Sequence, residues 1–454
     1  MVLLKVNQEI IINIEGINHQ GQGIARYEGL VVFVNQALPN ELVKAKVKQV
    51  KKEYAVAEII EVIQENSNRE EPICSVYSEC GGCHFMHANY EFQLELKRQI
   101  VEDAMKRIAK LDVKVNKTIG MKNPYYYRNK VQLPITKKDN KVCIGFYKPM
   151  SHDVVDIEKC FIQHDDCNKV IPIIKEMIEE FKIEPYNEHK HSGLLRHVLI
   201  RKSFAFDTMM IVFVTTKMPK EVDKIKEYLV TRINNLKSLY ININDKKTNV
   251  ILGENEYLIY GEKTIKDKIG KYTFEISPKS FFQVNSEQVN TLYSKVVEYL
   301  GNSKLNTIFD AYCGIGTISL YVSHLADKVI GIENVKEAID DAKKNAKQNG
   351  VNNAEFILGN AEDEIPNLIK KGIKPDAIVV DPPRKGCDKK LIDAIINAEI
   401  NKVVYVSCNP STLARDLRIL VDGGYKVKSV QPVDMFPQSY HVECVVLMSN
   451  VKNK

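Results

Sequence analysis

The 454-residue chain has no apolar run near the roughly 18 residues that a membrane span requires. Its longest such stretches, Leu30–Val34 and Cys444–Met448, are strand-sized. The opening MVLLKVNQEI lacks the basic start, apolar stretch and small-residue cleavage site of a signal peptide. Excess charge of one sign is scarce too: 64 Lys and Arg against 58 Asp and Glu leave a net charge of +6. That balance, with 44% hydrophobic residues, excludes the disorder signature of low hydrophobicity and high net charge. It also falls short of a strongly basic nucleic-acid binder. Internal repeats and low-complexity tracts are missing. The expectation is a cytoplasmic globular protein of about three domains, at roughly 150 residues each. Ten cysteines then need a reason. In a reducing compartment, metal binding or thiol chemistry is a better one than disulfides.

Residues 1–62 alternate short apolar runs with turn signals at Gly21, Gly23 and Gly29, which predicts a small β-barrel. Lys44, Lys46 and Lys48 alternate with Ala45 and Val47 and therefore share one strand face, with Lys51 and Lys52 just beyond. That stripe suits a phosphate backbone, or simply protects a solvated edge strand. Residues 63–268 read as an α+β middle domain: a polar linker, a cysteine knot at 74–84, a helix over 89–110, then mixed strands and helices. Residues 269–454 alternate strand and helix, which predicts a doubly wound, Rossmann-like α/β domain.

In that last domain Asp310-Ala311-Tyr312-Cys313-Gly314-Ile315-Gly316 ends a strand and opens a helix. The glycines allow a tight turn and close approach of backbone to a ligand. Glu333, at the end of the next strand, is placed to bind ribose hydroxyls. A dinucleotide site wants a third glycine where this chain has Ser319, and an acidic residue precedes the loop. Both disfavour a phosphate ligand and suit S-adenosylmethionine, a cationic sulfonium without phosphate. Asn360 follows the next strand and is a candidate adenine contact. Asp381-Pro382-Pro383-Arg384 follows another, its prolines fixing a rigid turn. An amino-group methyltransferase would carry an aromatic residue where Arg384 stands, so a different acceptor atom is indicated.

The strand KVVYVS runs into Ser407-Cys408-Asn409-Pro410. Side chains just past strand C-termini face the ligand crevice of such a sheet, which puts Cys408 where it can react. C5 of a uracil is a poor nucleophile until a thiolate adds to C6; a base must then remove the C5 proton. Glu443, in His441-Val442-Glu443, is the candidate base. Cys313, Cys387 and Cys444 read as buried small hydrophobes. Cys74, Cys80 and Cys83, with Cys160 far along the chain, form a set that could hold zinc, with His84 or His87 as further candidates, or an iron–sulfur cluster; spacing leaves both open.

Taken together, these motifs resemble the RNA (uracil-C5) methyltransferases. The blocks are the N-terminal barrel, similar to a TRAM domain; Cys80-Gly81-Gly82-Cys83 with Tyr90 and Gln93; and Tyr127-Arg128-Asn129-Lys130. They continue with Phe282-Gln283-Val284-Asn285, the Asp310–Gly316 loop, Asp381–Gly386, Ser407–Pro410 and His441–Glu443. The resemblance implies Cys408 as nucleophile and Glu443 as base. It implies S-adenosylmethionine contacts from Gln283, Tyr312, Thr317, Glu333, Asn360 and Asp381. It implies a [4Fe–4S] cluster on Cys74, Cys80, Cys83 and Cys160. Because tRNA-directed members look as if they lack both barrel and cysteines, it points to 23S rRNA, with a flipped-out uridine as target and a monomeric enzyme.

Tyr125 and Tyr126 are candidate base-stacking residues or core aromatics. Arg196, His197, Arg201 and Lys202 are expected either to track phosphates or to form a solvated strand face. Three rival readings are a tRNA uracil-C5 methyltransferase, an RNA cytosine-C5 methyltransferase needing a second thiol near the Pro-Pro turn (only Cys387 is available), and a non-catalytic RNA-binding assembly factor.

Overall fold

The computed structural model describes residues 4–451. Residues 1–3 of the expected barrel and 452–454 of the expected C-terminal domain lie outside the described residues. The N-terminal unit is a six-stranded sheet in the order β1-β5-β6-β4-β3-β2. Its strands are β1 (Glu9–Asn13), β2 (Gly16–Ile17), β3 (Gly23–Tyr27), β4 (Leu30–Asn35), β5 (Leu42–Val50) and β6 (Tyr54–Gln64). Along β5, Val43, Ala45 and Val47 are buried, and the lysines between them face outward. The sheet curls around those alternate residues together with Ile10, Ile12, Val32 and Val34. The lysine stripe is partly neutralised: Lys44 pairs with Glu9 at 2.7 Å and Lys48 with Glu58 at 2.8 Å.

Helix α1 (Tyr90–Ala104) runs on through a wider turn that ends at Lys110 in the left-handed region. Beyond it, the middle sheet has seven strands in the order β13-β12-β11-β10-β7-β8-β9. These are β7 (Lys130–Lys138), β8 (Lys141–Tyr147), β9 (Val154–Asp156), β10 (Leu195–Lys202), β11 (Met209–Thr215), β12 (Leu236–Ile243) and β13 (Asn255–Gly261), with α2 (Asp165–Glu180) and α3 (Val222–Arg232) on one face. A hairpin, β14 (Ile265–Ile269) and β15 (Tyr272–Ile276), leads into the C-terminal domain.

There the sheet order is β18-β17-β16-β19-β20-β22-β21. Its elements are α4 (Gln288–Leu300), β16 (Leu305–Ala311), α5 (Thr317–Val322), β17 (Ala326–Glu333), α6 (Lys336–Gln348), β18 (Ala354–Leu358), α7 (Ala361–Lys370), β19 (Ala377–Val380), α8 (Lys389–Asn397), β20 (Lys402–Ser407), α9 (Pro410–Asp422), β21 (Tyr425–Val433) and β22 (Glu443–Asn450). Six strands run in one direction, and β22 inserts antiparallel between β20 and β21. The strand order reverses between β16 and β19, so a crevice opens past their C-terminal ends. Residues 90–119, which the sequence places in the middle domain, lie against this C-terminal sheet. Val101, Ala104, Met105 and Val115 join its core, and Val115 and Ile119 bridge to Val430 and Val433 of β21.

Candidate active site

Ser407, the last residue of β20, pairs with Cys444 of the antiparallel β22. One step further, the same register sets Cys408 directly opposite Glu443. Asp381 follows β19, the neighbouring strand, so thiol and two carboxylates meet at one edge of the sheet. Burial, and then Asp381, raise the Glu443 carboxyl, while Arg384 opposes them. Burial likewise raises Asp381. The Cys408 thiol is pushed up to about 12, chiefly by burial, then by Glu443 and Asp381, with Arg384 again opposing. Burial in the free site therefore favours the neutral forms of all three groups, with Arg384 the one cation opposing it at Cys408 and Glu443.

The Asp381–Gly386 turn is fastened to the helix that follows Cys408. Asn409 Nδ2 and Thr412 Oγ1 donate to the Arg384 carbonyl at 3.0 and 3.2 Å. Arg415 Nη2 donates to the Lys385 carbonyl at 3.0 Å. Fully buried Asp416 accepts from the Cys387 backbone at 2.8 Å and from Tyr405 Oη at 2.6 Å. Gly386 has φ +82°, and a Cβ there would strike Arg415 and Asp416.

The loop before Glu443 is held from three sides. From α1, buried Lys97 reaches Asp434 at 2.5 Å and the Phe436 carbonyl at 3.0 Å, Tyr90 Oη donates to Asp434, and Gln93 exchanges two hydrogen bonds with Gln438. From the cysteine knot, the backbones of His84 and Phe85 both donate to the Gln438 carbonyl. From the segment before β7, Tyr127 Oη donates to the Pro437 carbonyl. Gln438 itself sits at φ +70°, a strained conformation for a side chain of its size that these bonds sustain.

Of the other expected cofactor residues, Tyr312, Thr317, Glu333 and Asn360 stand at or just past the C-terminal ends of β16, β17 and β18, and Gln283 lies between β15 and α4. Tyr312 adopts φ +65°, and burial raises its hydroxyl. Glu333 accepts from the backbones of Gly314, Asn334 and Val335, which fixes its carboxylate at the loop. Thr317 opens α5 and shares a 2.9 Å hydrogen bond with Tyr293 of α4. Asn360 precedes α7 and accepts from Asn334 at 3.2 Å. Gln283 is nearly buried, and its carbonyl accepts from Asn129. Ser319, where a third glycine would stand, donates at 2.5 Å to Asp310. Asp310 is raised to about 7, first by burial, and its second oxygen has no partner among the described residues. Cys313 fills space under the loop: a Cβ on Gly331 would lie 2.9 Å from its sulfur.

Cys74, Cys80, Cys83 and Cys160 line one cavity whose remaining walls are largely apolar. Burial raises Cys80 to about 11 and also raises Cys83 and Cys160, and the thiols push one another further. Zn–S bonds of about 2.3 Å would draw four sulfurs to within about 3.8 Å of one another. Among the described residues, no three His, Cys, Asp or Glu groups gather closely enough to hold a single ion. His87 is engaged by Tyr77 Oη at 2.6 Å, and the His84 ring rests against Tyr440. No histidine is among the residues that line this cavity.

The solvated face expected for Arg196, His197, Arg201 and Lys202 is not what the structure has: all four are buried. They lie on β10, a central strand covered on both faces, which alternation alone could not reveal. Arg196 donates to the carbonyls of Asn244 and Lys246, and Lys202 is paired with Asp166 and Asp207. Tyr127 is core, and Tyr125 and Tyr126 are half-buried. Lys97, Asp416, Asp434 and Tyr293 carried no motif in the sequence. Phe281, 68% exposed two residues before Gln283, was also passed over; an aromatic at a loop tip was its only sign.

A sequence profile of the tRNA (uracil-5-)-methyltransferase family matches residues 89–451, and one of the TRAM domain matches residues 3–60. An RNA methyltransferase of Clostridium acetobutylicum is 48% identical over 455 residues, covering 99% of each chain. One of Oceanobacillus iheyensis is 47% identical, over 97% of this chain and 96% of its own. The tRNA (uracil-54, C5)-methyltransferase of Pyrococcus abyssi, solved with S-adenosyl-L-homocysteine, superimposes with a TM-score of 0.77 at 28% identity, covering 97% of this chain and 100% of its own. That coverage takes in the N-terminal unit. A barrel is thus no mark against a tRNA-directed enzyme, contrary to the expectation from sequence.

Proposed function

Because the chain belongs to the tRNA (uracil-5-)-methyltransferase family, we propose that it methylates C5 of uridine in 23S rRNA through a covalent bond between Cys408 and C6. The observation that carries this reading is the register that sets Cys408 opposite Glu443, with Asp381 beside them. S-adenosylmethionine supplies an electrophilic methyl group when bound. Gln283, Tyr312, Glu333 and Asp381 would hold it, with Thr317 and Asn360 at the margin. The cluster of raised carboxylates, Asp310, Asp381 and Glu443, suits a ligand bearing positive charge.

Cys408 attacks C6 as thiolate, and the C5–C6 π pair becomes an enolate whose C5 takes up the methyl group. Arg384, the cation opposing the raised thiol, favours the thiolate. Glu443 then takes the C5 proton. The electrons of that C–H bond restore C5=C6, and the sulfur leaves as thiolate. A carboxyl raised by burial and by a neighbouring carboxylate is a stronger base once ionised, which suits removal of a carbon-bound proton. Exposed Phe281 would stack on a base drawn from its helix.

The thiol cavity would hold a [4Fe–4S] cluster. Its four sulfurs and apolar walls match that group, and the methyl chemistry needs no electron from it. The cytosine-C5 reading is disfavoured by Cys387. That residue is 6% exposed, its backbone is tied to Asp416, and burial pushes its thiol up to about 12. The tRNA reading is favoured by the Pyrococcus enzyme's own substrate; 23S rRNA rests on the cysteine knot. Mass mapping of 5-methyluridine in rRNA and tRNA from a deletion strain decides between them. Loss from 23S rRNA alone supports the proposal, and loss from tRNA alone replaces its substrate. Cytoplasmic, monomeric action fits the same reading; among the described residues no helix is long and apolar enough to cross a membrane.

A further inference from the structure

Lys130, the first residue of β7, is the cross-strand partner of Arg201 on β10. Such partners share a face, so their side chains stand side by side. Burial holds the Lys130 ammonium down to about 7, helped by the charges of Arg201 and then Arg128. Among the described residues none of these three is ion-paired, although Lys202, next along β10, has two carboxylate partners and Arg196 has one. The Nε atoms of Arg128 and Arg201 are buried without a hydrogen-bond acceptor. Arg128 faces the Tyr127 hydroxyl and the Cys83 and Cys160 thiols, whereas, among the described residues, Lys130 and Arg201 have no acid beside them; buried charge is ordinarily paired, so these two point to an anion that comes from outside.

Their place says which anion. Arg201 Nη2 donates to the carbonyls of Pro278 and Ser280 at 3.3 and 2.5 Å, on one side of exposed Phe281. On the other side Asn129, between Arg128 and Lys130, donates at 2.9 Å to the Gln283 carbonyl. The cations thus sit on the strand pair that holds the Phe281 loop, and Arg128 lies 5.9 Å from the Phe436 ring in the loop before Glu443. Arg201 is fixed by its carbonyl partners, whereas Lys130 is half-buried and, among the described residues, no carboxylate holds its ammonium. We propose that Lys130, flanked by Arg128 and Arg201, binds a backbone phosphate of the substrate RNA next to the nucleotide delivered to Cys408. This rests on the RNA-methylation reading above.

The test uses the full-length protein and a fluorescent stem–loop RNA with a uridine loop, with affinity measured across a KCl series. Lys130→Gln should weaken binding at low salt and flatten log Kd against log[KCl] by about 0.7 to 0.9, one phosphate's share. Lys130→Arg should keep both. Replacing loop phosphates one at a time by neutral methylphosphonate should reveal a position that weakens the wild type and leaves Lys130→Gln unaffected. A Lys130→Gln protein with wild-type melting and S-adenosylhomocysteine affinity but an unchanged salt slope overturns the proposal. So does a scan of the wild type with no sensitive phosphate, which stays decisive should the Gln variant fail to fold. If the wild type methylates no uridine in any RNA, the functional reading falls instead, and the phosphate coupling is judged on binding alone.

Discussion

Lys97→Met should unlock the loop that carries Glu443. The Lys97 and Asp434 side chains are both fully buried, 2.5 Å apart, and burial lowers the lysine from its ordinary value. Removing one partner of such a pair strands the other, at about 3 to 5 kcal/mol. Here Asp434 would keep the Tyr90 hydroxyl at 3.0 Å and the Phe436 backbone N–H at 3.1 Å, which sets the expectation at the low end, about 3 kcal/mol. For a catalytic unit of this size that is a fall of about 6 to 12 °C in its melting transition. Lys97→Met with Asp434→Asn removes the stranded charge, keeps Oδ1 to accept from the Phe436 N–H and lets the new Nδ2 donate to the Tyr90 hydroxyl, so it should recover most of the loss. Differential scanning calorimetry of the three proteins measures it, and kcat for methyl transfer should fall in the single variant more than S-adenosylhomocysteine affinity does. An unshifted transition in Lys97→Met would refute the argument. A double variant as unstable as the single would assign the loss to the lysine's packed stem instead.

Glu443→Gln should still form the Cys408 bond to RNA but not resolve it. Turnover is then expected to drop about 10²- to 10⁴-fold, with an RNA–protein adduct surviving denaturing electrophoresis and absent from Cys408→Ala. Since Glu443 works as a carboxylate and its pKa is raised, activity should climb with pH. Asp381→Asn at saturating cofactor should move that rise to lower pH, and a shift the other way would contradict the proximity of the two groups. Buried Asp310, raised to about 7, favours the folded state while protonated; that contribution is full below its unfolded pKa and is lost as pH rises through about 7. Asp310→Asn should therefore gain stability over the wild type at pH 8, by up to about 4 kcal/mol, and little at pH 4; equal shifts in chemical-denaturation midpoints at both would count against it. Anaerobically purified protein should carry about four irons, and Cys83→Ser should lose them; stoichiometric zinc in the wild type would replace the cluster.

The parts of this molecule that were legible in the sequence are those whose constraint is local. Val43, Ala45 and Val47 alternate because one strand face is buried. Gly314 and Gly316 stand where φ is +53° and +82°. Cys408 follows an apolar strand and precedes an N-terminal proline, which is enough to put a thiol at the crevice. What stayed hidden was set by partners hundreds of residues away. Nothing near Lys97 distinguishes it from a solvated helix lysine until Asp434 is brought beside it. The four residues of β10 taken for a polar face belong to a central strand, where Arg196 satisfies loop carbonyls and Lys202 satisfies acids.

Cys408 and Glu443 show where these two kinds of information meet. Each was found by its own strand end, but their opposition depends on β22 inserting antiparallel beside β20, and no local pattern encodes that. The orientation matters chemically. In a parallel insertion the residue starting β22 would lie at the far, N-terminal edge of the sheet, and the base would be a strand's length from the thiol. Six β20 residues at about 3.3 Å each make that roughly 20 Å, far beyond proton-transfer reach. The antiparallel strand therefore converts two separate motifs into one site. The loop before it, fastened by α1, the cysteine knot and Tyr127, carries the reversal of direction that the chemistry requires.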